Sequence, residues 1–206
     1  MNDGERYNTF LIFGAPGSGK GTQGQILGQI PRFYHCACGD VFRSLDTRSD
    51  LGQEFLKYSS QGLLVPDELT VRLWKRQIES QVTSQHFKPD IDFLVLDGIP
   101  RNVEQAKIME AYVKVHQVFH LSLKDRAELA RRLRKRALKD NRLDDANESV
   151  IEQRLKLYDD ETKPMLEFYD NAIISQLDAS LHPAKVMLEI LKVITALDVF
   201  TSAPKV

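Results

Sequence analysis

The chain has 206 residues, of which 42% are hydrophobic, and its 28 basic and 29 acidic residues leave a formal net charge of −1. This balance excludes binding of nucleic acid or of an anionic membrane through overall charge, so we expect neither partner. No apolar stretch reaches the roughly 20 residues of a membrane-spanning helix. Residues 1–8 lack the apolar core of a signal peptide, and we therefore expect a cytoplasmic protein of a single domain.

The chain contains two cysteines, Cys36 and Cys38. They are too few for a disulfide framework, and alone they cannot supply the four ligands of a zinc site. We predict that both are reduced.

The first predicted element is a buried strand over residues 7–13, which a glycine-rich loop follows over residues 14–22. Apolar residues then recur at helical spacing, so the setting is strand, loop and helix. Backbone N–H groups and a helix N-terminus form an anion site in that setting, and Lys20 would reach the β- and γ-phosphates of a nucleotide. A tight turn after a buried strand is the alternative. The usual pattern has a hydroxyl directly after the lysine, whereas here Gly21 intervenes before Thr22.

Residues 33–38 predict a second strand, and two short helices follow, one opening at residues 39–43 and one near residue 49 that ends near Gly62. The loop over residues 62–67 places three apolar residues beside a proline, either as a packed connector or as the lining of a ligand pocket. Pro66 and Asp67 then begin a longer helix, because proline is tolerated in a first turn and an acid suits the helix dipole.

A second apolar run, residues 93–96, ends in Asp97. Ligands of open α/β sheets bind at the carboxyl ends of parallel strands, so Asp97 is a candidate partner of Mg²⁺. A helix cap or a turn is the alternative role.

The second half of the chain continues to alternate helices and strands. Residues 103–113 predict a helix with Val103, Ala106, Met109 and Val113 on its apolar side, and residues 118–123 predict a strand. A basic run over residues 131–142 is typical of a solvated helix face or, less often, of a nucleic-acid patch, but it contains no aromatic residues. A helix over 148–160, a strand over 173–177 and a final helix complete an α/β fold.

Four segments resemble one known family in their amino acids and in their order along the chain: residues 14–23, 39–43, 62–68 and 97–101. With the later arginines, the chain from about residue 10 to residue 169 resembles the adenylate kinase family of nucleoside monophosphate kinases. The resemblance implies a P-loop kinase core with a five-stranded parallel sheet flanked by helices. Its core would cover residues 1–38, 73–136 and 148–206, with an NMP-binding insertion at 39–72 and a short lid at 137–147.

The resemblance also implies reversible phosphoryl transfer from ATP to AMP, with Mg²⁺ accompanying ATP, by a monomeric enzyme. The residues implied to be catalytic are Lys20, Arg43, Arg101, Arg136, Arg142 and Arg154. Those implied to bind ATP are Gly17, Ser18, Gly19, Lys20, Gly21, Thr22, Arg132 and Arg136. Those implied to bind AMP are Cys38, Arg43, Leu63, Leu64, Val65, Gly98, Ile99, Pro100, Arg101, Gln105, Arg142 and Arg154. Mg²⁺ would be held mainly by phosphates and water, with Asp97 in support.

This sequence departs from the family pattern in the length of its lid, in the spacing of two arginines and at position 99. Only residues 137–141 separate Arg136 from Arg142, whereas long forms place a larger lid there, often with zinc-binding cysteines, so no structural zinc is expected. The spacing from Arg142 to Arg154 is one residue longer than the family pattern. Ile99 replaces a phenylalanine in a position that mainly packs.

Two positions bear on the acceptor nucleotide. Gln105 matches family members that act on AMP, while Cys38 replaces the threonine usual in them. Because two amide hydrogen bonds outweigh one hydroxyl contact, we predict AMP, with UMP or CMP as the alternative. A non-catalytic P-loop regulator is a further alternative, although it would not need the six arginines. The five histidines need no catalytic role, since the acceptor phosphate is already a nucleophilic anion.

Overall fold

The computed structural model describes residues 6–43, 45–46, 48–61, 63–140 and 147–202, and its centre is one parallel sheet. The five strands are β1 (Tyr7–Gly14), β2 (Phe33–Ala37), β3 (Phe93–Asp97), β4 (Val113–Ser122) and β5 (Ile174–Asp178). They lie in the order β2-β3-β1-β4-β5, and every neighbouring pair is parallel. This sheet confirms the predicted α/β fold class.

Helices connect the strands and lie on both faces of the sheet. They are α1 (Lys20–Leu27), α2 (Cys38–Arg43), α3 (Asp50–Ser59), α4 (Asp67–Thr83), α5 (Val103–Met109), α6 (Arg126–Asp140), α7 (Glu148–Leu157), α8 (Met165–Phe168), α9 (Pro183–Ala196) and α10 (Asp198–Thr201). A π-helical turn, Tyr158–Thr162, continues α7, and a 3₁₀ turn, Asn171–Ile173, precedes β5. In the part of the chain described here, no helix has both the length and the apolar composition needed to cross a membrane.

The central strand β1 shows why the sheet is covered on both faces. Successive side chains of a strand point to opposite faces. Leu11 and Phe13 accordingly join one core cluster, which includes Trp74 of α4, while Phe10 and Ile12 join a second, which includes residues of α1 and α9. A continuous apolar run is what a strand buried on both faces requires.

The register of the sheet brings the glycine-rich loop and Asp97 together at the carboxyl ends of the strands. Ile12 near the end of β1 is paired with Asp97 at the end of β3, and Ala37 at the end of β2 is paired with the same Asp97. The glycine-rich loop leaves β1 at the same end of the sheet, beside the end of β4, where Gly14 is paired with Leu121. The carboxyl ends of β1, β2 and β3 therefore lie side by side at one end of the sheet.

One predicted boundary is wrong. Val113 does not belong to a helix, because α5 ends at Met109 and Val113 is the first residue of β4, where it pairs with Tyr7. The strand also starts earlier than residue 118. A buried valine four residues after Met109 fits a helical face as well as the start of a strand, so spacing alone did not separate the two.

The division into core, insertion and lid stays a prediction. The segment 39–72 contains all but the first residue of α2, the whole of α3 and the start of α4, and residues 141–146 of the predicted lid lie outside the described residues.

Helix α1 packs against β2 through two glycines. A Cβ placed on Gly24 would overlap the imidazole ring of His35, and a Cβ on Gly28 would lie 2.8 Å from Cβ of His35. The absence of side chains at these positions therefore lets the histidine fill the space between helix and strand.

We predict that Gly24→Ala lowers the free energy of unfolding by about 1–3 kcal/mol, because the added methyl group overpacks a buried site. In a His35→Ala background the same change should be neutral or stabilising, since alanine is the better helix former by about 1 kcal/mol. Urea denaturation of the single and double variants measures both values. A Gly24→Ala variant as stable as wild type would contradict this packing.

Candidate functional site

The glycine-rich loop has a backbone that side chains would obstruct. Gly17 has φ 85°, and a Cβ there would lie 2.8 Å from the carbonyl oxygen of Leu129. Gly19 has φ 100° and is the N-cap residue of α1. Both φ values lie in the left-handed region that favours glycine. The loop thus turns sharply into α1 and presents its backbone to the cavity described below.

Lys20, the first residue of α1, folds back into this loop. Its Nζ donates to the carbonyl oxygens of Gly14 at 2.7 Å and Ala15 at 3.2 Å. Burial lowers the pKa of Lys20 to about 8, the Asp97 carboxylate partly offsets this, and nearby arginines lower it further. Those arginines are Arg136, Arg101 and Arg154. Two backbone carbonyl oxygens therefore hold the ammonium in place close to several other cations.

A cavity of about 590 Å³ lies at the carboxyl ends of β1, β2 and β3. This volume is within the usual range of small-molecule sites. The predicted ATP-binding residues that line it are Gly17, Ser18, Gly19, Lys20, Gly21, Thr22, Arg132 and Arg136. Arg101 and Arg154 line it as well, so four arginines and Lys20 share one space. Of the other implied arginines, Arg142 and the side chain of Arg43 lie outside what the structure describes.

The same cavity is also lined by most of the residues implied to bind the acceptor. They are Leu63, Leu64, Val65, Gly98, Pro100, Arg101 and Gln105. Cys38 and Ile99 are 1% and 0% exposed and do not line the cavity, although their immediate neighbours in the chain do. The loop before α4 therefore does line a cavity, while contact between a nucleotide and Cys38 or Ile99 stays a prediction.

Neighbouring groups fix the arginines in place. Arg132 donates from Nε to Glu128 at 2.7 Å and from Nη1 to the carbonyl oxygen of Ala179 at 3.0 Å. Arg101 donates from Nε to the carbonyl oxygen of Gly98 at 2.9 Å. The hydroxyl of Thr162 in turn donates to the carbonyl oxygen of Arg101 at 2.7 Å. Guanidinium groups held in this way lose less conformational freedom when they bind an anion.

The Gln105 side chain is buried and carries two hydrogen bonds at once. Its Oε1 accepts from the backbone N–H of Arg101 at 2.8 Å, and its Nε2 donates to Oδ1 of Asp67 at 2.7 Å. Sequence patterns predict only that Asp67 begins a helix, and they predict no role for Thr162. Both contacts join segments far apart in the chain, and no local pattern signals them.

Asp97 lies between the phosphate loop and β2. It lines the cavity, and a Cβ placed on Gly21 would lie 3.4 Å from its Oδ2. Within the described ranges, no three His, Cys, Asp or Glu side chains are grouped to hold a metal ion. Asp97 is nevertheless a hard oxygen donor beside the phosphate loop, and this fits an Mg²⁺ ion that takes most of its ligands from phosphates and water.

The five histidines all lie within the described residues, and none lines the cavity. His35 is largely buried with its Nε2 4.0 Å from Asp97, and burial lowers its pKa, so the neutral imidazole is favoured. His86, His116 and His120 hydrogen-bond to the side chains of Ser84, Asn8 and Tyr158, and His182 caps α9.

The strand, the phosphate loop, the helix that starts at Lys20 and the cation-lined cavity define a P-loop nucleotide-binding α/β protein. The family model described as "Adenylate kinase" matches residues 12–174. Proteins named adenylate kinase are 33% identical in Mycoplasma pneumoniae over 84% of this chain and 92% of the relative, and 35% identical in Thermobifida fusca over 82% and 88%. One from Cyanothece sp. is 37% identical over 78% and 81%. The chain belongs to the adenylate kinase family.

We predict that binding of a polyphosphate weakens as the pH rises above about 8. A bound anion favours the charged ammonium of Lys20 and raises its pKa, so affinity is fully present below the pKa of the free protein, about 8, and is lost above it. The loss should approach tenfold for each pH unit. Titration calorimetry with tripolyphosphate at pH 7–9.5 measures it.

The control for this prediction is Lys20→Met, which should bind more weakly and show a much flatter dependence on pH. At pH 8.5, binding to the wild type should take up a large fraction of one proton, seen as a buffer-dependent enthalpy. Equal proton uptake by both proteins would show that another group titrates.

Proposed function

We propose that the protein catalyses reversible phosphoryl transfer from ATP to AMP, giving two molecules of ADP. The observation that carries this proposal is one cavity lined by Lys20, by four arginines, by Gln105 and by the apolar loop before α4. A protein that only binds ATP needs the phosphate loop and Lys20, whereas two polyanions need cations on both sides. The relatives named adenylate kinase support the same activity.

The proposal assigns the two halves of the cavity to two nucleotides. The phosphate loop over residues 17–22 holds the phosphates of ATP, with Arg132 and Arg136 beside its base and phosphates. Arg101 holds the phosphate of AMP together with Arg43. Arg154 and Arg142 reach both nucleotides.

Phosphoryl transfer explains why so many cations are needed. At a few ångströms in a partly dry site, repulsion between two polyanions costs several kcal/mol. Arginine offsets it because its planar fork binds two phosphate oxygens and stays charged at any working pH. The transition state is loose, so positioning and charge neutralisation provide most of the acceleration. No general base is required, since the acceptor phosphate has a second pKa near 6.

Mg²⁺ belongs to the proposal as the partner of ATP. It supplies positive charge to the β- and γ-phosphates and fixes their orientation. Asp97, at the carboxyl end of β3, would hold the water ligands of this ion. No structural zinc is proposed.

AMP is the acceptor in this proposal, and UMP or CMP is the weaker alternative. The support is the position of Gln105 on the cavity wall and the names of the relatives. A monomeric state and a cytoplasmic location complete the proposal and rest on the sequence.

ATP and AMP together should yield two ADP for each AMP consumed, measured by a coupled ADP assay. ATP hydrolysis without dependence on AMP, or no turnover at all, would overturn the proposal and favour a regulator. A kcat/KM for CMP equal to that for AMP would favour the pyrimidine enzyme.

We predict that Arg101→Ala lowers kcat/KM for AMP roughly 100-fold or more, because one cation that stabilises the transition state is removed. Its thermal midpoint should change little, since Arg101 makes one side-chain hydrogen bond to Gly98 and that bond contributes about 1 kcal/mol. Activity near that of the wild type would contradict the proposed phosphate clamp.

Two adjacent arginines of α6 offer a matched pair. Arg131 and Arg132 both hydrogen-bond to Glu128, but only Arg132 lines the cavity, and the Arg131 side chain is 64% exposed. We predict that Arg132→Ala raises KM for ATP roughly tenfold through loss of a charged contact. Arg131→Ala should leave KM unchanged. Equal effects would show that both act through Glu128 and not through the nucleotide.

A further inference from the structure

The buried carboxamide of Gln105 is held in one orientation by its two protein partners. The Asp67 carboxylate only accepts hydrogen bonds, so the atom 2.7 Å from its Oδ1 must be the NH₂ group. The backbone N–H of Arg101 only donates, so the atom 2.8 Å from it must be the carbonyl oxygen. Chemistry at both ends therefore assigns the same orientation, and turning the amide over would break both bonds.

The Asp67 carboxylate is itself fixed. It lies at the first position of α4, and both of its oxygens accept from Nδ2 of Asn102, at 3.0 and 3.1 Å. Asn102 is the N-cap residue of α5, where its own Oδ1 accepts from the backbone N–H of Gln105 at 2.8 Å. Asp67 thus ties the start of α4 to the turn that carries both Arg101 and Gln105.

This orientation leaves one N–H and one lone pair of Gln105 for a ligand in the cavity that it lines. An acceptor beside a donor on the edge of a base complements that pair, and adenine and cytosine present this pattern. Hypoxanthine, guanine and uracil present the reverse, a ring N–H beside a carbonyl oxygen. A free glutamine could turn over to fit either pattern, but one held by both Asp67 and the backbone N–H of Arg101 would lose two hydrogen bonds by doing so.

We propose that Asp67 is a specificity-determining positioning residue: it locks the Gln105 carboxamide so that the acceptor site rejects keto bases. The inference rests on the proposed function, since it takes the base of the acceptor nucleotide to lie against Gln105. The lock separates AMP from IMP and CMP from UMP. It does not separate AMP from CMP, which differ in size.

The test is Asp67→Asn, which keeps the size of the side chain but can either donate or accept. The ratio of kcat/KM for AMP to that for IMP should fall roughly tenfold, because a reversed Gln105 then finds a partner at residue 67 and loses only its hydrogen bond to the backbone N–H of Arg101, where in the wild type it would lose both. The ratio for CMP against UMP should fall in the same direction, while that for AMP against CMP stays within about twofold. A loss of structure alone would lower all four activities together.

Glu68→Gln is the matched control, because it removes the same charge from the same turn of α4 at an exposed side chain. It should leave every ratio unchanged. In a Gln105→Ala background, Asp67→Asn should no longer alter the ratio of AMP to IMP, since Asp67 acts through Gln105.

Calorimetry on the same variants measures the dissociation constants of AMP and IMP, and their ratio reports the discrimination between the two bases without any turnover. A wild type that forms no ADP but binds AMP more tightly than IMP would overturn the proposed function and leave the lock standing. An AMP-to-IMP ratio in Asp67→Asn that stays within twofold of the wild type, in both turnover and binding, would overturn the lock.

Discussion

The site depends on keeping like charges together in a partly buried space. The Lys20 ammonium is partly buried, with Arg101, Arg136 and Arg154 close enough to lower its pKa and Asp97 as the carboxylate that opposes them. Such a cluster is unfavourable in the free protein, since burial and mutual repulsion both penalise the charged forms. Backbone carbonyl oxygens of the phosphate loop partly compensate Lys20. Bound phosphates would add attraction to each of these cations and so offset the repulsion among them. Part of the binding free energy of the phosphates would come from this change.

The sheet supplies the rigidity that such a cluster requires. β1 is buried on both faces, with Leu11 and Phe13 in one core cluster and Phe10 and Ile12 in the other. The phosphate loop leaves the end of this strand, and Asp97 ends the neighbouring strand in register with Ile12. A strand that packs into two cores cannot slip by one residue without moving each set of side chains into the other core, where its packing partners are missing. The position of the loop relative to Asp97 is therefore set by hydrophobic packing and not by the ligand.

The sequence allowed prediction of features that local patterns encode. The glycine-rich loop, the alternation of strands and helices and the five-stranded sheet follow from periodicity, turn residues and family resemblance. Val113 was misassigned because the helical and strand patterns coincide at a short chain reversal. The partnership of Asp67 with Gln105 and that of Thr162 with Arg101 join residues 38 and 61 positions apart. Such pairs depend on how helices and loops pack at the sheet edge, which no window of sequence describes.

The π-helical turn after α7 connects two cations that are far apart in the chain. Arg154 lies on α7, and Thr162 ends the turn that continues the helix and hydrogen-bonds to the backbone of Arg101. A π turn takes up one more residue than an α turn, so it sets the direction in which Thr162 points. One hydrogen bond from this turn consequently ties the peptide of Arg101 to the helix that carries Arg154, so the two cations share one structural support.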